Sequence, residues 1–359
     1  MTNCDESDII FLHIEGPTDF RNDGLSCYEY PIVEDFMVIP VLLFILGLIL
    51  LIKGGDWFVD GAAGIAKKFR IPDILIGATV VSIGTTLPEV MVSATSAFSG
   101  HGEIAYGNAI GSIICNTALI AAISITFRPA KIERSTLVLP VSAFFVAAAF
   151  YTVVACFFGE FSRLVGACLL VLFIAYMVLS VIMAKKAPAQ VEEIQNEDET
   201  SKKDLVKYIV FLVLGAALIA FGADLLVDNG TIIAKKLGVP ESVIALTFIA
   251  IGTSLPELVT AITSLVKGHG AMSLGNVIGA NLFNLVLVSG VSTVVSPFAI
   301  PNNTQIMGIN SSLLIDIPVM LFVMAFLTIP AIIRKKISRW QGIVLLLIYA
   351  GFCVFQFTI

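Results

Sequence analysis

Two carboxylates stand in matched surroundings. Glu89 closes the run Gly84-Thr85-Thr86-Leu87-Pro88-Glu89, and Glu257 closes Gly252-Thr253-Ser254-Leu255-Pro256-Glu257. Both runs lie inside long apolar stretches. An ionised carboxylate at the centre of a bilayer costs about 3 kcal/mol or more, so each glutamate needs a proton, a basic partner or a bound cation. Apart from Lys53, no Lys or Arg lies within the core of a candidate span, which leaves the proton and the cation. Pro88 and Pro256 carry no N–H, so the carbonyl four residues before each loses its helical donor. Such a break survives in a membrane only where it is buried in protein or lines a wet cavity. A carboxylate, two hydroxyls and freed carbonyls thus gather within about one turn. An all-oxygen set of this kind suits hard cations such as Ca²⁺ and Na⁺ rather than zinc or copper.

The next apolar stretch in each case supplies amide oxygens. Gly107-Asn108-Ala109-Ile110-Gly111-Ser112 continues to Asn116, and the spacing by four of residues 108, 112 and 116 places them on one helical face. The second copy brings Asn276, Asn281 and Asn284, with Ala280 where the first has Ser112. Small residues around them allow helices to approach closely. Polar side chains in a span also act as interhelical glue. That role suits Asn108 and Asn276 as well as a ligand role does, but explains two glutamates in equivalent settings poorly.

The elements that position these groups follow from hydropathy. The chain has 359 residues, 57% hydrophobic and 13% charged, with mean hydropathy +0.96 and net charge −6. Soluble domains are about 25% charged, so this is an integral membrane protein. The composition excludes a secreted disulfide scaffold, a disordered chain and a nucleic-acid-binding module, and the negative charge argues against a polyanionic partner. Windows of about 20 apolar residues predict ten spans, near 36–66, 71–98, 104–126, 136–158, 163–183, 205–233, 239–266, 272–294, 312–333 and 340–358. The second, third, seventh and eighth carry the polar motifs.

The chain also repeats itself. At a constant offset of 168 residues, 27 of the 63 positions from Gly54 to Asn116 are identical to their partners without a gap. Each copy holds five spans, an odd number, so the second enters the membrane from the opposite side. Inverted repeats are the architecture of secondary transporters, with the substrate site at mid-membrane between the halves. The predicted organisation is an acidic extracytoplasmic tail (1–35), a first five-helix repeat (36–183), a cytoplasmic linker (184–204) and a second five-helix repeat (205–359). Lys and Arg mark the cytoplasmic side. With the N-terminus outside, sixteen of the 21 basic residues fall inside and four outside. Two of those four, Lys235 and Lys236, are the inverted copies of Lys67 and Lys68. The acidic run 192–199 reads as a solvated tether within the linker.

Several other groups invite chemistry less strongly. Asp56 and Asp60, with their copies Asp224 and Asp228, are spaced i, i+4 near helix ends and read first as interfacial anchors, second as ion-attracting or gating groups. His101 and His269 lie in Gly-His-Gly turns and suit a turn or interface role better than metal binding. Cys115, Cys156, Cys168 and Cys353 lie in apolar runs, whereas Cys4 and Cys27 lie in the polar tail, either paired in an oxidising compartment or as free thiols. No basic region precedes an apolar core at the N-terminus, so a cleavable signal peptide is not expected.

With these motifs the chain resembles the Ca²⁺/cation antiporter superfamily, and within it the Na⁺/Ca²⁺ exchanger branch. The two copies are similar to that family's α-repeats. The resemblance implies an all-α fold of ten transmembrane helices, in which the first and sixth slide past a rigid core to alternate access. It implies Ca²⁺ carboxylates at Glu89 and Glu257, flanking ligands at Thr85, Thr86, Ser112, Asn116, Thr253, Ser254 and Asn284, and backbone oxygens at Ser82 and Ala250. It implies no catalytic residue and no cofactor beyond the transported Ca²⁺ and Na⁺, and a function carried out as a monomer in the lipid bilayer. Two departures bear on coupling. Many microbial and K⁺-dependent relatives have Asp at the position of Asn284, and many have Ser at that of Ala280. The symmetric Asn116/Asn284 pair is more similar to K⁺-independent members.

The leading expectation is therefore Ca²⁺/Na⁺ antiport. H⁺/Ca²⁺ or K⁺-dependent exchange on the same scaffold is the alternative. A cation channel has no need of the inverted repeat, and an intramembrane enzyme lacks a nucleophile–base pair or a histidine cluster. A linker of about 20 residues leaves no room for a folded Ca²⁺-sensing domain. The topology is checked by thiol labelling: a cysteine introduced within 190–200 is expected to react only from the cytoplasmic side and one within 15–25 only from outside. Labelling of both from one face contradicts the inverted arrangement.

Overall fold

The computed structural model describes residues 37–69, 71–129, 134–186, 202–237, 254–301, 305–306 and 308–358. These fold almost entirely into helices: α1 Val38–Phe69, α2 Asp73–Phe98, α3 Gly102–Phe127, α4 Arg134–Phe158, α5 Arg163–Lys186, α6 Lys202–Lys236, α7 Leu255–Val266, α8 Gly270–Val295, α9 Ser312–Arg334 and α10 Arg339–Thr358. All but α7 are long and apolar enough to cross a membrane. The described part of α7 has 12 residues, and the start of its expected span, including Ala250 and Thr253, lies outside the described residues, as do Cys4 and Cys27. The chain is an all-α, multi-pass membrane protein.

The inversion is visible in how the helices pack. α1 and α6 meet along a seam of glycines. A Cβ placed at Gly47 would come within 2.8 Å of the Gly222 carbonyl oxygen, one at Gly54 within 2.9 Å of that of Gly215, and one at Gly61 within 2.6 Å of that of Tyr208. As the residue number rises by seven on α1 it falls by seven on α6, so the helices are antiparallel. Gly47 and Gly54 are the repeat partners of Gly215 and Gly222, so the two contacts map onto each other under the internal symmetry. By contrast α2 and α8 run parallel, with Gly275 against the Ile74 backbone and Gly279 against Ala78. Since α2 and α3 form a hairpin, α3 is antiparallel to its repeat partner α8.

Burial grades from the motif helices outward. α8 and α3 are the most enclosed, whereas α1, α5, α6 and α10 turn much of their apolar surface outward, as lipid-facing helices do. One end of the bundle is tied by two extended residues, β1 Glu160–Phe161, pairing antiparallel with β2 Phe298–Ala299. There Phe161 stacks between Tyr151 and Phe298, with ring centroids 4.4 and 5.6 Å apart. At the opposite end Arg128 donates to the Leu265 carbonyl at 2.7 Å, and the α7–α8 turn meets α1 and α2. A short hairpin, β3 Gln305–Ile306 with β4 Ile309–Asn310, precedes α9.

The glycine seam makes a direct prediction. Gly54→Ala forces backbone apart, and overpacking costs about 1–3 kcal/mol. A Cβ at Gly107 would meet nothing within 4 Å, so Gly107→Ala is expected to leave the thermal midpoint in detergent unchanged or raised, while Gly54→Ala lowers it. Equal midpoints would contradict the seam.

Candidate ion-binding site

Glu89 on α2 and Glu257 on α7 are both fully buried and lie side by side, with Thr85 and Thr86 next to Glu257. None of their four carboxylate oxygens has a hydrogen-bond partner among the described residues. The same holds for the hydroxyls of Thr86 and Ser254 and for both amide atoms of Asn116 and Asn284. These are three repeat-related pairs, each offset by 168 residues. All six side chains are buried. Buried polar groups are normally satisfied. Other buried groups, Tyr151 and Ser273 among them, also lack partners among the described residues, but these six are matched in pairs by the repeat, as oxygens arranged for something other than the protein itself would be.

Local backbone structure explains how these oxygens converge. Pro88 sits within the helix Ser82–Phe98, which passes through it without ending, while the turn Gly77–Val81 just before that helix is π-helical. Asn116 and Asn284 each open a further π-helical turn, Asn116–Ala121 and Asn284–Val288. A π turn widens the helix, releases carbonyls from the regular ladder and is frequent at functional sites. Two carbonyls of these turns accept both the backbone N–H and the hydroxyl of a serine five residues on: Ser82 Oγ donates to Gly77 O at 2.8 Å and Ser289 Oγ to Asn284 O at 3.1 Å. Tyr176 from α5 donates to Ala78 O at 2.9 Å.

The remaining motif residues divide into neighbours and braces. Thr85 Oγ1 lies 3.3 Å from Asn276 Oδ1 and 3.5 Å from the Ser82 carbonyl, and Ser82 Oγ donates to the Asn276 carbonyl at 3.0 Å. Asn276 therefore ties α8 of one repeat to α2 of the other. Asn108 instead donates to Ser93 Oγ at 2.8 Å and to the Glu89 carbonyl at 3.4 Å, within its own repeat. Position 261, the partner of Ser93, is Ala, so this brace has no counterpart. Ser112 is buried on α3, and its partner Ala280 is buried on α8 without a hydroxyl to offer. Asn281 breaks the repeat where the first copy has Ile113. Its Nδ2 donates to Thr117 Oγ1 at 2.7 Å and approaches Met324 Sδ at 3.1 Å.

The layer over the motif turns belongs to α1 and α6. A Cβ at Gly84 would meet the Phe58 ring at 2.7 Å. A narrow cleft runs between Phe58, Gly84, Thr85, Ala216, Ile219 and Pro256. Farther out, His269 Nδ1 lies 2.8 Å from Asp73 Oδ2, and this carboxylate holds the imidazole pKa above its ordinary value.

Sequence comparison places this site in a family. The sodium/calcium exchanger protein family matches the chain twice, over residues 39–182 and 207–358. The chain belongs to that family. Among relatives, an uncharacterized membrane protein of Methanocaldococcus jannaschii is 35% identical over 313 residues, covering 87% of this chain and 96% of the relative. The sodium/calcium exchanger MaX1 of Methanosarcina acetivorans is 31% identical over 361 residues, covering 90% of this chain and all of the relative. A solved structure of the sodium-calcium exchanger NCX_Mj superposes with a TM-score of 0.75 at 33% identity, covering 88% of this chain and 97% of that one. The all-α architecture of two inverted five-helix repeats and the antiporter class follow. In this exchanger family member the orphaned oxygens lie where the two matched segments meet.

Proposed function

We propose that the chain exchanges Ca²⁺ for Na⁺ by alternating access, with Ca²⁺ held between Glu89 and Glu257. The observation that carries this reading is the set of three repeat-related pairs, Glu89/Glu257, Thr86/Ser254 and Asn116/Asn284, whose buried polar atoms lack partners among the described residues. Two carboxylates match the charge of one divalent cation, and the surrounding hydroxyls and amides complete an oxygen shell of the kind Ca²⁺ takes. Thr85, Ser112, Thr253 and the backbone oxygens of Ser82 and Ala250 serve as flanking ligands. All these groups come from one chain, which supports function as a monomer. The sixteen-to-four distribution of basic residues supports an outside N-terminal tail (1–35) and a cytoplasmic linker (184–204).

Coupling follows from what the second repeat lacks. With Asn at 284 and Ala at 280, the site holds two carboxylates, and Na⁺ leans on neutral oxygens. More than two Na⁺ per Ca²⁺ moves net charge, and one elementary charge crossing the membrane is worth about 2.3 kcal/mol per 100 mV. Adjacent carboxylates without a basic partner among the described residues are also what a shared proton would need, which keeps H⁺/Ca²⁺ exchange as the second reading.

Two experiments test the proposal. In proteoliposomes, Glu89→Gln and Glu257→Gln are each expected to abolish Ca²⁺ flux while the purified variants remain monodisperse. Substantial exchange by either single variant removes the assignment. Radiolabelled Ca²⁺ uptake against imposed Na⁺, K⁺ and pH gradients then identifies the coupling ion. The expected result is Na⁺-driven flux that responds to membrane potential and changes little when choline replaces K⁺. Asn284→Asp is expected to alter monovalent-ion dependence more than Ca²⁺ selectivity. Flux that collapses without K⁺, or that follows a pH gradient with no Na⁺ present, contradicts the Na⁺ reading.

A further inference from the structure

Lys267 lies at the turn between α7 and α8, and its side chain reaches across to α1. Its Nζ donates to the Asp56 carbonyl oxygen at 2.9 Å and to Asp60 Oδ1 at 2.7 Å, and lies 3.5 Å from Asp56 Oδ1. One ammonium thus holds three oxygens of one helix. Two residues along, the His269–Asp73 contact fastens the same turn to the start of α2. The turn is therefore anchored on the helices that carry the motifs while it grips a helix that packs lengthwise against α6. That gripped helix also carries Phe58, which lies over Gly84 of the first carboxylate motif.

Among the described residues the grip has no counterpart at the opposite end of the molecule. The internal repeat maps Asp56 and Asp60 onto Asp224 and Asp228 of α6, and it maps Lys267 onto Ser99. A serine carries no charge to hold that second carboxylate pair. Among the described residues the two ends therefore differ by an ion-pair cluster, made between the α1/α6 pair and the motif helices.

We propose that Lys267 is a one-sided latch, a positioning residue that favours the arrangement of α1 seen here over the one that opens the site to the other face. This inference rests on the exchange reading above. A helix displaced along its axis by one turn moves its side chains by about 5.4 Å, far enough to part Lys267 from Asp60. The groups are partly solvated, with side chains 25% (Lys267), 40% (Asp56) and 50% (Asp60) exposed. Pairs of this exposure bias an equilibrium by about two- to fivefold, enough to set a resting preference without arresting the cycle. Apparent affinity scales with the populated fraction of the competent state. Loss of the latch therefore weakens Ca²⁺ binding at one face and strengthens it at the other.

The test uses the full chain in sided proteoliposomes, with Ca²⁺ titrated separately at each face during Na⁺-driven exchange. Lys267→Gln is expected to move the two half-saturating Ca²⁺ concentrations in opposite directions and change their ratio by about two- to fivefold. Lys267→Arg is expected to keep the wild-type ratio. The double variant Asp56→Asn/Asp60→Asn is expected to reproduce the shift, with no further change when Lys267→Gln is added. A merely structural role moves both faces the same way, and that result, or no shift, overturns the latch. If wild-type protein itself shows no Na⁺-driven flux, the exchange reading fails instead. An independent arm joins Asp60→Cys to Lys267→Cys through a reducible bifunctional thiol linker, in a background without the native cysteines. Linkage is expected to stop exchange and reduction to restore it, whereas linked protein that turns over at the unlinked rate overturns the proposal.

Discussion

Glu89 and Glu257 are held together in the membrane interior with no basic side chain beside them among the described residues, and the rest of the architecture answers to that constraint. Two like charges about 4 Å apart repel by about 4 kcal/mol at an effective dielectric of about 20, in addition to the cost of taking each from water. A purely structural pair would be selected against. A pair that a divalent cation neutralises can be kept, provided the surrounding groups hold it in register. The π turns at Gly77, Asn116 and Asn284, the serine hydroxyls that also bond two of their carbonyls, and the Asn276 tie between the repeats hold it so.

The inverted repeat solves the positioning problem economically. Two inverted copies of one motif bring two carboxylates side by side, each with hydroxyl-bearing residues three and four positions before it. Neither repeat is complete alone, since Thr85, Thr86 and Glu89 of the first lie beside Glu257 of the second. The departures from symmetry then acquire meaning. Ala280 opposite Ser112 removes a hydroxyl from one half. Asn281, in place of an isoleucine, binds Thr117 and fixes α3 to α8. Lys267, in place of a serine, joins one end of α1 to the α7–α8 turn. Symmetry builds the site, and these exceptions distinguish its two sides.

Much of this was legible before any coordinates. The offset of 168 residues, the odd number of spans per copy and the two Pro-Glu motifs pointed to an inverted transporter with a cation site between its halves. What remained hidden depended on contacts between distant elements. Asn108 and Asn276 are identical in type and repeat position, yet one braces its own repeat and the other bridges the two, because Ser93 has Ala261 as its partner. The π turns left no local signature, since residues 116–121 and 284–288 read as ordinary apolar helix. Lys267 read as one more cytoplasmic positive charge, because its meaning lies in Asp56 and Asp60, over 200 residues away in sequence.

The central claim is that a divalent cation sits between the two carboxylates, and locating the ion tests it most directly. Crystals of the protein grown without Na⁺ and soaked in Sr²⁺, a heavier congener of Ca²⁺, can be read by anomalous scattering. The account predicts a peak within coordination distance of the carboxylates of both Glu89 and Glu257, lost when Na⁺ is raised. A Sr²⁺ peak elsewhere in the membrane region with none between the glutamates, or a peak there that persists at high Na⁺, would contradict it.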